Sequence, residues 1–506
     1  MNPGILFSFV IGYFILLLVV AWYTSRNSNN ESFFIGNRSS NWMLVSFGMI
    51  GTSLSGVTFV SVPGTVGNFT AAGNTYKAFS YFQVVLGYLV GYFIIAYVLL
   101  PLYYKRNLTS IYNYLQQRFG NFSYKTGALF FIISRTVGAT ARLFLVINVL
   151  QIFILDKMGV PFIVTALIIL LMILLYTFEG GVKTIVYTDT LQTTFMLLGL
   201  VVCVVYILNH MDMSFSSALQ VLNEKGYARI FDTNVNSKSF FVKDFIGGIF
   251  IAVAMTGLDQ EMMQKNISVK TLRGSQKNII TFSAIIAIVN FLFLLLGGLL
   301  YLFMINKGYG YEGKQFLVNG SNMIGDDLFP TVALNFLPQA VSVIFIIALI
   351  SALFPSADGA LTALTSSFCI DMLGLKRRSD WDEKTKKRIR MTVHLTLAII
   401  FLICILIFKW INQKSIIGII LDLAGYTYGP LLGLFSFGIL TKRQINDGFA
   451  VTLICLAAPC ISYFISKFSG SFLGGYKIGI ELLLINGFFT FIGLWMISKN
   501  QNKIAQ

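Results

Sequence analysis

Residues 346–371 read IIALISALFPSADGALTALTSSFCID, an apolar run that sets a proline, a serine and an aspartate within four positions of one another. Ser351, Pro355, Asp358 and Thr362 recur at helical spacing, and Ala352, Ser356, Gly359 and Ala363 form the neighbouring face. One face is therefore polar and the next is small. Pro355 lacks an N–H and crowds the preceding turn, which frees carbonyls near Ile350 and Ser351. Polar groups of this kind in hydrocarbon are costly unless something binds them. Two readings follow. Either a bare cation such as Na⁺ is held here, or the proline only kinks a helix whose serine and aspartate bond to neighbouring helices.

Working outward, the whole chain has the same apolar character. Of its 506 residues 56% are hydrophobic and 11% charged, more apolar surface than one soluble core of this length can use. The expectation is an all-α, multi-pass membrane protein. Its net charge of +16 is not a nucleic-acid footprint, because the lysines and arginines gather in short segments between apolar runs. The five cysteines lie in apolar runs without ligand spacing, and two histidines are too few for a histidine metal centre. No phosphate-binding glycine loop, zinc-protease helix or nucleophile elbow occurs, so the chain is not read as an enzyme. The N-terminal MNPGILFSFVIG has neither a basic leader nor a cleavage site and is read as a retained helix.

About thirteen apolar runs are long enough to span, which puts the termini on opposite sides. With the N-terminus outside and the C-terminus inside, 23 of the 37 Lys and Arg fall on the inside, the favoured distribution. The localisation expected is the cytoplasmic (inner) membrane of the cell. The inside segment 105–120 carries Leu108, Ile111, Tyr112, Leu115 and Phe119 at helical spacing and is expected to form a short interfacial helix. Segments 209–241 and 307–332 read as outside surface loops.

Setting aside an extra first helix (3–23) and two C-terminal helices (446–498), ten spans remain in one transporter domain, as two five-helix sets, 41–208 and 242–440. The first helix of each set is interrupted at a matching place, by GTSLSG (51–56) and by MTGLDQ (255–260). Matching interruptions in two halves point to an inverted-repeat transporter with its site between them. Packing of small residues between helices is the plainer alternative. A channel usually calls for a repeated pore element, and a non-transporting sensor for an attached signalling domain; the sequence has neither. Ionisable residues at lipid depth are few: Arg135, Arg142, Asp189 and Asp358, with Asp244, Asp259, Glu261 and Asp422 near span ends. Arg135 and Arg142 are seven apart and share a helical face.

The chain resembles the sodium–solute symporters of the LeuT-fold group. The resemblance rests on SLSGVTFVSVPG (53–64), SIYNYLQQRFG (110–120), YTFEGGVKTIVYTDTLQ (176–192), GLDQEMMQK (257–265), PSADGALTALTSSFCIDM (355–372) and YGPLLGLFSFGILTKR (428–443), in that order. It implies Na⁺-coupled import of a small polar solute by alternating access, with Na⁺ and the solute as partners and no oligomer required. It further implies a first Na⁺ on the carbonyls of Gly51, Leu54 and Ala352 and the hydroxyl of Ser356, in a chain that has Pro355–Ser356 where relatives carry two hydroxyls. A second Na⁺ would lie between Asp189 and Asp358. Thr58, Arg142 and Gln260 are the implied substrate contacts, and Arg142 matches an arginine that sialic-acid transporters place on a carboxylate. A small carboxylate, sialic-acid- or monocarboxylate-like, is therefore the expected solute, with a neutral sugar or polyol as the alternative.

Overall fold

The computed structural model describes residues 3–25, 40–67, 78–309, 317–318, 321–322, 325–378, 380–411, 416–472 and 474–500. Arg26, Arg38 and Lys503, which enter the orientation count, lie outside the described residues, as does part of the loop expected at 307–332. The first half of the chain contains α1 (Pro3–Ser25), α2 (Trp42–Ser53), α3 (Gly56–Thr65), α4 (Tyr81–Lys105), α5 (Asn113–Arg118), α6 (Asn121–Met158) and α7 (Phe162–His210). The second contains α8 (Phe215–Glu224), α9 (Phe241–Gly257), α10 (Gln260–Ile267), α11 (Leu272–Asn306), α12 (Leu328–Asn335), α13 (Gln339–Met372), α14 (Glu383–Ile411), α15 (Ile416–Thr427), α16 (Gly429–Leu440), α17 (Phe449–Phe472) and α18 (Leu482–Met496). Extended structure among the described residues is confined to two-residue strand pairs and one isolated bridge.

Among the described residues, eight helices are long and apolar enough to cross a membrane, or up to eleven if each of three bent pairs counts as one span. The bent pairs are α2–α3 (57°), α9–α10 (66°) and α15–α16 (44°). Two of these are the interruptions expected from sequence. The third arises at Gly429–Pro430, inside what reads as one apolar run. Pro430 has no N–H for the carbonyl of Tyr426, and the Asn486 amide of α18 supplies the donor instead, at 2.8 Å, with a second bond to Gly425 O at 3.0 Å. The spans expected at 159–178 and 182–208 are joined in one helical run, α7.

The α2–α3 break has a steric cause as well as a propensity one. Glycine is the poorest non-proline helix former, and Gly51 and Gly56 flank the gap. A Cβ on Gly51 would run into Thr193 Oγ1 and come within 3.3 Å of Pro355 Cγ, and one on Gly56 would strike Val146. Small residues here let the broken helix lie directly on α13, α7 and α6. Helix α13 keeps its helical path through Pro355 and is buried from Leu349 to Ser367, with an extensive contact along α7.

The segment expected to form a short interfacial helix contains α5 and packs its apolar stripe on protein. Leu108, Ile111, Tyr112 and Leu115 are fully buried. Arg118 of α5 donates to the carbonyls of Gly438, Thr441 and Arg443. The apolar stripe is amphipathic because it covers a core, and periodicity alone does not tell lipid from protein.

Candidate functional site

A cavity of about 770 Å³, counting its open mouth, lies against the α2–α3 break. Thr52, Ser53, Leu54, Ser55 and Thr58 line it from the break, with Arg135 and Arg142 from α6, Tyr81, Tyr88 and Tyr92 from α4, Thr256 from α9 and Asn290 from α11. Its wall is apolar where Ile251, Ile286, Ile420 and Leu421 stand. A concavity that sets convergent polar groups against an apolar wall is suited to a small polar molecule.

The helical hydrogen bonds stop where Leu54 N–H bonds Ile50 O (2.7 Å) and resume where Phe59 N–H bonds Ser55 O (3.1 Å). The carbonyls of Gly51 to Leu54 fall in the gap. Opposite them is the Pro355 turn of α13, with Ala352 O 3.9 Å from where a Gly56 Cβ would lie. Ser356 donates its hydroxyl proton to Leu353 O at 3.0 Å, which leaves its lone pairs for another partner. Gly51 of the broken helix thus lies against the Pro355 turn of α13, the turn that also carries Ala352 and Ser356. Carbonyl and hydroxyl oxygens of this kind suit a hard cation.

Asp189 and Asp358 are both fully buried, and they are not assembled as an open carboxylate pair. The Lys265 ammonium bonds Asp189 Oδ2 at 2.7 Å and Thr52 Oγ1 at 2.5 Å, and lies 3.6 Å from Glu261 Oε1. Asp358 instead accepts from Tyr176 O–H (2.7 Å) and from Gly359 N–H (2.5 Å). The sodium expected between the two carboxylates meets an ammonium already bound to one of them. The sequence did carry a signal for it. Glu261 and Lys265 are four apart on α10, the spacing of an ion pair on one helical face.

The two arginines of α6 have separate surroundings. Arg135 is buried, ion-paired to Glu261, with its Nε 3.9 Å from Asp259 Oδ2. Arg142 is half-buried on the cavity wall and, among the described residues, has no carboxylate within 4.0 Å. Thr58 lines the same cavity. Gln260 does not: its amide donates to Thr109 O (3.1 Å) and accepts from Ile111 N–H (2.9 Å), which fastens the α4–α5 loop. Sequence reasoning missed Asn290, whose Oδ1 is buried without a hydrogen-bond partner among the described residues, and the three tyrosines. An asparagine inside the long apolar α11 was the available signal.

Broken helices around a polar cavity in a helical membrane protein define a secondary transporter. The sequence model of the Sodium:solute symporter family matches residues 33–455. The chain is 23% identical over 470 residues to the sodium/sialic acid symporter SiaT of Proteus mirabilis, covering 90% of this chain and 88% of that protein. It is 26% identical over 482 residues to the sodium-coupled monocarboxylate transporter 1 of Xenopus laevis, covering 90% and 72%. Its fold matches the solved structure of a Na⁺-coupled sialic acid symporter in a substrate-bound, outward-open state, with a TM-score of 0.80 at 21% identity over 98% of this chain and 99% of that one. The chain belongs to the sodium:solute symporter family. It is a multi-pass membrane transporter, not an enzyme, and Na⁺ is its coupling ion.

Proposed function

We propose that this symporter imports a small organic carboxylate with Na⁺, and that the Arg142 guanidinium holds the carboxylate. The carrying observation is the difference between the two arginines of α6. One is neutralised inside the protein and the other faces a cavity with no carboxylate within 4.0 Å among the described residues. A charged group at such depth needs water or an anion, and a guanidinium offers a carboxylate two parallel N–H donors. Asn290 Oδ1 provides an acceptor, and Thr58, Tyr81 and Tyr88 provide hydroxyls, for the rest of the solute. The sialic-acid and monocarboxylate specificities in the names of its relatives support the same class.

The first Na⁺ is held by the carbonyls of Gly51, Leu54 and Ala352 and by Ser356. It joins the α2–α3 break to α13, so binding favours the arrangement in which both contribute oxygens. The finer architecture belongs to this reading: thirteen spans in the cytoplasmic membrane, N-terminus outside and C-terminus inside, and two inverted five-helix repeats after an extra first helix. Uptake into proteoliposomes, with and without a Na⁺ gradient, tests it. Carboxylates should compete and their methyl esters should not. Equal competition by the esters would transfer the assignment to a neutral sugar or polyol.

A further inference from the structure

Beyond the first sodium site, the structure contains a buried chain of alternating charge. It runs from Asp259 to Arg135, Glu261, Lys265 and Asp189, each in ion-pair range of the next, and ends on Thr52 beside the α2–α3 break. Every member is at least 97% buried. We propose that the Lys265 ammonium is a tethered cation standing where a second sodium would bind, so that this symporter binds a single sodium.

The geometry supports this at three points. An ammonium has three protons to donate, and three oxygens surround this one: Asp189 Oδ2, Thr52 Oγ1 and Glu261 Oε1. The wall of α13 makes room for it. A Cβ on Gly359 would meet Glu261 Oε1 and lie 3.2 Å from the Lys265 nitrogen, so only glycine leaves the lysine its place. Lys265 is moreover held by its backbone, on a two-turn helix fixed at its start by the Asp259 cap on the N–H groups of Glu261 and Met262. The ammonium is thereby tethered to a fixed helix start, which a free ion is not. A compact point charge on a flexible stem is the side chain best able to imitate a metal cation. Sodium at this position would have to share Asp189 with a like charge, which disfavours it.

The inference rests on the sodium-coupled reading and needs no knowledge of the solute. Equilibrium binding of radioactive sodium to the purified full-length transporter in detergent counts the sites directly. The wild-type chain is expected to bind one sodium, Lys265→Arg one, and Lys265→Met two, as the emptied position admits an ion between Asp189 and Thr52. Lys265→Met combined with Asp189→Asn, a neutral pair that leaves no orphaned charge at this end of the chain, should bind one. Two sodium ions on the wild-type chain would overturn the proposal, as would one on a folded Lys265→Met variant or two on the double variant. No saturable sodium binding to the wild-type chain would instead remove the sodium site itself.

Discussion

The two broken helices expected from sequence look alike there and differ in space. At the first break, Gly51 to Ser55, the carbonyls between Ile50 and Ser55 drop out of the helical ladder and face α13 and the cavity. At the second, Gly257 to Asp259, the protein supplies the partners itself. Tyr103 O–H donates to Gly257 O (2.8 Å), Tyr112 O–H to Leu258 O (3.0 Å) and Tyr428 O–H to Asp259 Oδ2 (2.8 Å). The other Asp259 oxygen caps α10. A break filled by tyrosines has its polar groups satisfied by protein, whereas a break left unfilled leaves carbonyls for another partner. The same loss of helical hydrogen bonds therefore has different consequences in the two halves of the molecule.

Four substitutions test this division, from the largest expected effect to the smallest. Glu261→Ala removes the partner of both Arg135 and Lys265 beside the filled break. Orphaning a buried charge costs about 3–5 kcal/mol. A large fall in the thermal unfolding temperature in detergent should follow; an unchanged temperature would mean the charge chain does not hold the second break. Arg142→Lys, at the open cavity, should leave that temperature in place and weaken the solute by about 1.5–3 kcal/mol, the worth of a hydrogen bond to a charged group. Competition by an acid against its amide reads this out, and an equal loss for both would break the link to the carboxylate.

Ser356→Ala, on the wall facing the open break, should raise the Na⁺ concentration for half-maximal uptake by about tenfold, from a loss of about 1.4 kcal/mol. Unchanged Na⁺ dependence would remove Ser356 from the ion. Tyr112→Phe, at the filled break, should cost only about 0.6 kcal/mol, the average for an interhelical hydrogen bond in a membrane protein. It should lower the unfolding temperature slightly while Na⁺ dependence stays fixed. A shift in Na⁺ dependence instead would mean that the two breaks act as one.

Much of this was legible in the sequence. The apolar content, the two interruptions and the Pro355 turn belong to local chemistry: glycine and proline are the poorest helix formers, and hydrocarbon admits few charges. These residues marked the chain by themselves as a helical membrane transporter, with broken or proline-bearing helix near residues 51–56 and 355.

What the tertiary structure decided was pairing. Asp189 reads as a sodium ligand until Lys265, 76 residues away, is found on it. Gln260 reads as a substrate contact until its amide is found on the backbone of Thr109 and Ile111. Arg135 and Arg142 share a helix face, yet only one meets acids carried on α10 and its cap. The stripe at 108–119 faces protein where its periodicity fits lipid equally well. In each case the sequence names a group that must be satisfied, and what meets it comes from a distant part of the chain. A buried charge or amide is defined by what meets it, and only the packing of distant helices supplies that.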